Sequence, residues 1–288
     1  MQNDESTPAV GSALARLHQY ARAWNVDVGA VVHAPLSLVA YGVRGDTPVV
    51  LKVLTEPGDE WWSGEVAGAF EGRGMTRVYE HAGGALLLER LRPGQPLTRV
   101  AISESDAEAT SILASLVAAM SPGPPPRHSP NVEAWVDGFD RYVQSGDRRI
   151  ESALVAEARD TFVELAESQR DVRLLHGDLQ HSNVLLDANR GWLAIDPKGV
   201  IGEVEYELGA MLRNPVERPD LFTDRATIER RLDQLATELR LDRRRIVRWA
   251  FAQAVLSAIW EIEDDGSTGS TGPDDPLIAL ARVLRAMR

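Results

Sequence analysis

His176-Gly177-Asp178-Leu179-Gln180-His181-Ser182-Asn183, followed downstream by Ile195-Asp196-Pro197-Lys198-Gly199, sets an Asp, an Asn and a second Asp in the order and spacing of a phosphoryl-transfer site. Phosphoryl transfer needs in-line placement, charge neutralisation and an acceptor for the hydroxyl proton, and little covalent participation from the protein. Asp178 suits the proton acceptor. Asn183 and Asp196 are oxygen ligands of the kind Mg²⁺ takes, with water and phosphate completing its shell. Leu174-Leu175 before the loop and Val184-Leu185-Leu186 after it are apolar anchors, and Gly191–Ile195 reads as a strand that delivers Asp196 at its end. A strand–loop–strand frame holds polar groups still, as positioning catalysis demands. Two plainer readings stand beside this one. His176 and Asp178 could form a hydrogen-bonding pair that only shapes the loop. His176, Asp178 and His181 could be a metal cluster, but no further strong ligand of fitting spacing follows, and Asn183 would have no role.

The lysine census points to the same chemistry. Of 31 basic residues only Lys52 and Lys198 are lysines; the other 29 are arginines. A compact ammonium and a planar guanidinium are not interchangeable, so the two retained lysines invite a functional reading. Lys52 sits in the apolar run Val49–Leu54, which reads as a strand. An ammonium there needs anionic partners, and a phosphate plus a glutamate would suffice. Glu65, on the helix expected next, is the first choice for that glutamate, and Glu60 is its rival.

Composition narrows the class. A chain of 288 residues with 44% hydrophobic and 26% charged residues can bury a large core, as one domain or two lobes. No apolar run approaches the roughly 20 residues that span a bilayer. The start, Met1-Gln2-Asn3-Asp4-Glu5, is polar and acidic, unlike a signal peptide. The absence of cysteine excludes disulfides and thiolate metal sites and fits a cytoplasmic location. A net charge of −12 argues against a nucleic-acid partner and suits a cationic small molecule. No membrane or protein partner is implied.

Along the chain, residues 12–24 have helical spacing, and Val28–His33, Leu36–Val43 and Pro48–Leu54 read as strands. A helix is expected over 57–71, then strands over Thr76–Glu80 and Ala85–Leu91. These elements make a small β-rich lobe, residues 1–91. Arg92-Pro93-Gly94-Gln95-Pro96 breaks the pattern, and a larger helical lobe, 92–288, follows. Its first helix is expected to start at a Ser103 N-cap and to run to about Met120. Ser121–Pro130, with five prolines, is extended. Further helices are expected near 131–144, 151–169, 205–213, 224–240, 242–264 and 275–287. The Gly/Ser/Thr stretch at 266–272 reads as a flexible loop.

Lys52, Glu65, the H-G-D-x-x-x-x-N loop and Asp196 together resemble the aminoglycoside phosphotransferases and their kinase-like superfamily. Leu175–Asp178, Trp192–Glu203, Glu207–Pro215, Leu86–Gly94 and Leu256–Trp260 resemble in wording the streptomycin 6-phosphotransferase/hydroxyurea phosphotransferase branch. The resemblance implies an α+β, two-lobed protein-kinase-like fold with ATP between the lobes. Adenine would lie against the backbone of Glu89, Arg90 and Leu91. Lys52 would meet the α/β-phosphates, held by Glu65. Asn183 and Asp196 would bind Mg²⁺, and Asp178 would be the base. The acceptor would be a hydroxyl, in the streptomycin case on the streptidine ring at its 6-position, and the outcome antibiotic resistance.

This chain departs from the wider kinase pattern twice. There is no G-x-G-x-x-G loop; His33-Ala34-Pro35-Leu36-Ser37-Leu38 occupies its place, with Ser37 as the candidate phosphate contact. Antibiotic kinases share that departure. Asp196 is followed by Pro-Lys-Gly rather than Phe-Gly, which speaks against protein-kinase-type regulation, as does the lack of an Ala-Pro-Glu signature. Lys198 could approach the γ-phosphate or brace an acidic group such as Glu203; the sequence leaves both open. For a cationic substrate, Glu203 and Asp264 offer carboxylates, and Trp260, one helical turn from Asp264, offers a face for a flat cation. Against these stand a capping Glu207, a core Trp260 and a solvated helix end. Other readings are a kinase of another hydroxylated small molecule or of hydroxyurea, and a non-catalytic drug-binding protein.

Overall fold

In a computed structural model, residues 7–265, 272 and 274–288 are described. In chain order the elements are α1 (Thr7–Ala23), β1 (Asp27–Ala34), β2 (Ser37–Arg44), β3 (Thr47–Leu54), a 3-10 turn (Asp59–Trp62), α2 (Ser63–Ala69), β4 (Val78–Ala82), β5 (Ala85–Glu89) and β6 (Pro93–Pro96). Next come α3 (Thr98–Ser103), α4 (Asp106–Ala119), a 3-10 turn (Val132–Trp135), α5 (Val136–Ser145), α6 (Ser152–Glu167), β7 (Arg173–Leu175), a 3-10 turn (His181–Asn183), β8 (Val184–Asp187), β9 (Gly191–Ala194) and β10 (Val200–Gly202). The chain ends with α7 (Val204–Leu212), α8 (Pro219–Thr223), α9 (Arg225–Leu239), α10 (Arg243–Asp265) and α11 (Pro276–Arg285).

These elements form two compact units, and neither is a single stretch of chain. The first takes Met1–Gln95, Met120–His128 and Leu185–Lys198; the second takes Pro96–Ala119, Ser129–Val184 and Gly199–Arg288. A division at residue 91 would leave Asp196 with the helical part of the chain, whereas Asp196 belongs to the strand-rich unit.

The first unit is built on a five-stranded antiparallel sheet of order β1-β2-β3-β5-β4. Its inward face alternates as a half-buried strand pattern requires. Leu38, Ala40, Val49, Leu51, Val53, Ala85 and Leu87 meet Ala13, Leu17 and Ala21 of α1. The expected helix over 57–71 is shorter. Gly58 is extended, the chain makes a 3-10 turn, and α2 stops before Glu71 and Gly72, both at positive φ.

The second unit is helical around α10. That helix is buried on nearly all sides through Ile246, Trp249, Phe251, Val255, Leu256 and Ile259, so it shows no polar face to solvent along most of its length. Phe139, Phe162, Tyr206 and Trp249 pack edge to face with centroids 5.1–6.4 Å apart, the favoured aromatic geometry. The helix expected from Ser103 is two helices: α3 ends at Ser103, and Ser105 Oγ caps α4 by accepting the Glu108 N–H at 3.2 Å. The loop expected at 266–272 lies outside the described residues except for Gly272. Among the described residues, no helix is long and apolar enough to cross a membrane. The fold is that of the kinase-like enzymes, with an antiparallel-sheet unit and a helical unit, as expected.

Candidate active site

In the second unit, β7 leads into the 176–183 loop. Gly177 adopts φ 83, a conformation that favours glycine. His176 is fully buried, and its Nδ1 accepts the Asp178 N–H at 3.3 Å. Its carbonyl accepts the Gly199 N–H at 3.0 Å. The histidine therefore shapes the loop. Asn183 Nδ2 donates to the Asp178 carbonyl (2.9 Å) and to Asp178 Oδ2 (3.2 Å). Asp178 Oδ1 faces Arg213 Nη2 at 3.7 Å. Asp178 is partly exposed, so a hydroxyl can reach a carboxylate with one oxygen hydrogen-bonded to Asn183 and the other facing Arg213.

A buried carboxylate underlies this loop. Glu207 in α7 accepts the N–H groups of Gly177 (3.1 and 3.2 Å) and Leu179 (3.3 Å). Burial pushes its carboxyl up, against the opposing influence of His176 and the backbone donors. In the sequence Glu207 reads only as a helix cap; nothing local marks it as the support of a loop 28–30 residues earlier.

In the first unit, β3 and the end of β9 bring Lys52 Nζ to 2.9 Å from Asp196 Oδ1. Asp196 has φ 55, one of five non-glycine residues at positive φ among those described. A left-handed Asp at the end of a strand is backbone strain of the kind that collects at functional sites. The glutamate near Lys52 is Glu60, at 3.7 Å, and no ion pair joins Lys52 to Glu65. The sequence preference for Glu65 is thus corrected. The 3-10 turn, which breaks the expected helix, is what carries Glu60 toward β3.

The remaining candidates divide. Ser37 is buried at the turn end of the β1–β2 hairpin, opposite Ala34 and Leu54. At the end of β5, Glu89 is committed to its own unit: its carboxylate accepts the Arg77 N–H at 2.7 Å and pairs with Arg190. The Arg90 guanidinium lies over the Tyr41 ring at 4.6 Å, and Leu91 is buried. Lys198 is exposed and forms no ion pair among the described residues. Glu203, expected to face a substrate, is fully buried; it pairs with Arg245 and accepts from Trp249 Nε1 and the Arg170 N–H. It is a structural anion with its oxygens occupied. Trp260 is half-buried against Trp135, edge to face at 5.3 Å, and Asp264 is exposed near the end of α10.

Each unit offers one hard oxygen donor of the kind Mg²⁺ takes. Asn183 Nδ2 is committed to Asp178, which leaves Oδ1 as acceptor, and Asp196 keeps Oδ2 beyond its pair with Lys52. Both are hard oxygen donors. Among the described residues no group of three His, Cys, Asp or Glu side chains could hold a metal ion, so the alternative of a His176–Asp178–His181 cluster, already disfavoured by the sequence, gains no support.

Comparison with known proteins places the chain. The profile of the aminoglycoside/hydroxyurea antibiotic resistance kinases matches residues 22–266. A streptomycin 3''-kinase of Klebsiella pneumoniae is 35% identical over 84% of this chain and 90% of its own length. A hydroxyurea phosphotransferase of Kitasatospora aureofaciens is 32% identical (93% and 78%), and a streptomycin 6-kinase of Streptomyces griseus 30% identical (89% and 83%). Among solved structures, the choline kinase LicA of Streptococcus pneumoniae aligns with TM-score 0.61 at 11% identity, over 95% of this chain and 98% of that one. An aminoglycoside phosphotransferase in ternary complex with ADP and hygromycin B aligns with TM-score 0.57 at 17% identity, over 93% and 97%. By the extent of the profile match and the identity to its relatives, this chain is a member of the aminoglycoside/hydroxyurea antibiotic resistance kinase family, phosphotransferases with a hydroxyl group as acceptor.

Proposed function

We propose that this chain transfers the γ-phosphoryl group of ATP to a hydroxyl of streptomycin, with the 6-hydroxyl of the streptidine ring as acceptor, and so confers resistance to it. The observation that carries the chemistry is the Asp178 carboxylate held by Asn183 in the loop that Glu207 supports. Asp178 accepts the proton of the attacking hydroxyl while the hydroxyl oxygen of the substrate bonds to the γ-phosphorus. The bond from that phosphorus to the β-bridging oxygen breaks, ADP leaves, and the proton is released from Asp178 afterwards. Lys52 neutralises the phosphates and is aligned by Glu60 and Asp196. Asn183 Oδ1 and Asp196 Oδ2 would hold Mg²⁺, which when bound shields the negative charge of the phosphates. The backbone of Glu89–Leu91 contacts the adenine, and Lys198 is free to meet the transferred phosphoryl group. On the acceptor side, Trp260 and Asp264 offer a ring face and a carboxylate to a guanidinium. A net charge of −12 adds a general attraction for such a cation.

The acceptor is supported by the three streptomycin kinases among the curated relatives, which divide between the 3''- and 6-positions. The test incubates the purified protein with ATP, Mg²⁺ and a panel of streptomycin, other aminoglycosides and hydroxyurea. Transfer to streptomycin is expected, and NMR of the product locates the phosphate. Phosphorylation at 3'' would overturn the positional part. Turnover of hydroxyurea alone would replace the substrate, consistent with the relative that carries that name.

A further inference from the structure

Arg213 closes α7 in the stretch Leu212-Arg213-Asn214-Pro215, and nothing in the roles above uses it. Its guanidinium is largely buried and lies 3.7 Å from Asp178 Oδ1. It is fixed from behind as well. Arg213 Nη1 donates to Gln253 Oε1 at 3.2 Å, and Gln253 Nε2 donates to the Tyr206 carbonyl at 2.5 Å. Gln253 itself is buried and fits there because residue 209 is glycine. A Cβ on Gly209 would stand 2.4 Å from Gln253 Oε1. The chain of contacts thus runs from Gly209 and Tyr206 through Gln253 and Arg213 to Asp178, all within the second unit.

Meanwhile Asn183 Nδ2 takes the other oxygen of Asp178. Oδ2 is hydrogen-bonded to Asn183, while Oδ1 faces the Arg213 guanidinium at ion-pair distance, so electrostatic attraction opposes rotation of the carboxylate about its Cβ–Cγ bond. We infer that Arg213 is the positioning residue that, with Asn183, sets the plane of the Asp178 carboxylate. Only a planar fork can face Gln253 and Asp178 at once, which a lysine ammonium does less well. The inference rests on Asp178 as the base.

The test compares Arg213→Ala, Arg213→Lys and Gln253→Ala with Asp178→Ala in steady-state assays on the acceptor that wild type phosphorylates. Misplacement of a reacting group by about 1 Å can cost on the order of 100-fold. Arg213→Ala should therefore lower kcat about 10- to 100-fold and leave both KM values within about twofold. Arg213→Lys should fall between it and wild type, and Gln253→Ala should lose severalfold. Added guanidinium ion should restore part of the kcat of Arg213→Ala and none of that of Asp178→Ala. Near wild-type activity in Asp178→Ala would defeat the reading of the base itself. An inactive Asp178→Ala beside Arg213 variants of unchanged kcat would defeat only the positioning role. So would raised KM with unchanged kcat, which marks a substrate contact. If Arg213→Ala fails to fold, Arg213→Lys and Gln253→Ala decide by the same kcat criterion.

Discussion

Glu207 takes the Gly177 N–H on both of its carboxylate oxygens, at 3.1 and 3.2 Å, one residue before Asp178. A carboxyl group buried in a helix thus supports the loop that carries the proposed base. Such a group is costly to bury and costly to remove, because its loss strands backbone donors. Glu207→Ala should lose about 2–4 kcal/mol of stability in urea unfolding. Glu207→Gln keeps an oxygen acceptor and should stay within about 1 kcal/mol of wild type. The sign of its pH dependence follows from burial, which raises the folded-state carboxyl above its ordinary 4.5. Its stabilising contribution is complete below that value and declines as pH rises through the folded one. Glu207→Gln should flatten that decline. An equal slope in both proteins would show that Glu207 does not titrate in the folded state as its burial requires.

Lys52 meets Asp196 at 2.9 Å and Glu60 at 3.7 Å. Loss of the ammonium should raise the nucleotide KM and lower kcat, together about 10- to 1,000-fold in kcat/KM. Glu60→Gln should fall in the same direction by about tenfold, whereas Glu65→Gln should stay within about threefold of wild type. A larger loss from Glu65→Gln than from Glu60→Gln would return the partner role to α2.

The contrast between Glu60 and Glu65 shows where the sequence was legible. Local patterns identified the β1–β2–β3 meander, because alternation and the Arg44–Thr47 turn are short-range signals. Asp178, Asn183 and Asp196 stood out because their spacing is itself the motif. A fifteen-residue helix over 57–71 favoured Glu65, whereas the glutamate within ion-pair distance of Lys52 is Glu60, five residues earlier. Gly58 and the 3-10 turn that present Glu60 have no periodicity to read. Arg213 was invisible for another reason: its pairing with Asp178 spans 35 residues and depends on Gln253 and Gly209 packing behind it. Glu203 misled because an acidic residue after the motif looks solvent-facing until Arg245 and Trp249 arrive from α10 to bury it.

That burial makes Glu203 a test of stability against binding. A fully buried carboxylate paired with a guanidinium leaves an uncompensated charge when one partner goes. Glu203→Ala should therefore destabilise by about 3–5 kcal/mol. The folded fraction should bind substrate with unchanged KM. Thermal melting and assays at low temperature separate the two. A raised acceptor KM without a change in melting temperature would restore Glu203 to the substrate side.

The last expectation concerns acid. Arg231 of α9 is almost fully buried and donates to the Met211 and Asn214 carbonyls (3.3 and 2.7 Å) while pairing with Asp106 of α4. Burial alone would raise the Asp106 carboxyl, but the Arg231 hydrogen bond and charge, with Arg230, hold it below its ordinary 3.8. Beside the pair, His181 is buried with no hydrogen-bond partner at either ring nitrogen. Burial, then repulsion by Arg231, pushes its imidazole down to about 3, against the pull of Asp106. Both groups act with the same sign. Asp106 contributes stability above its unfolded value and loses it as pH falls through the folded one. His181 takes a proton in the unfolded chain near pH 6.5 but in the folded chain only near 3, so stability falls across that window. Over about 2.5 pH units of the window, at about 1.4 kcal/mol per unit, the histidine alone should remove roughly 3 kcal/mol between pH 7 and pH 4. His181→Met should match wild type in urea midpoint at pH 7 and exceed it at pH 4. Arg231→Met should be weaker at both, because it leaves Asp106 with only its outer partner, Arg230. A His181→Met protein whose midpoint drops with acid as steeply as wild type would show that the histidine is reached by solvent protons in the folded state.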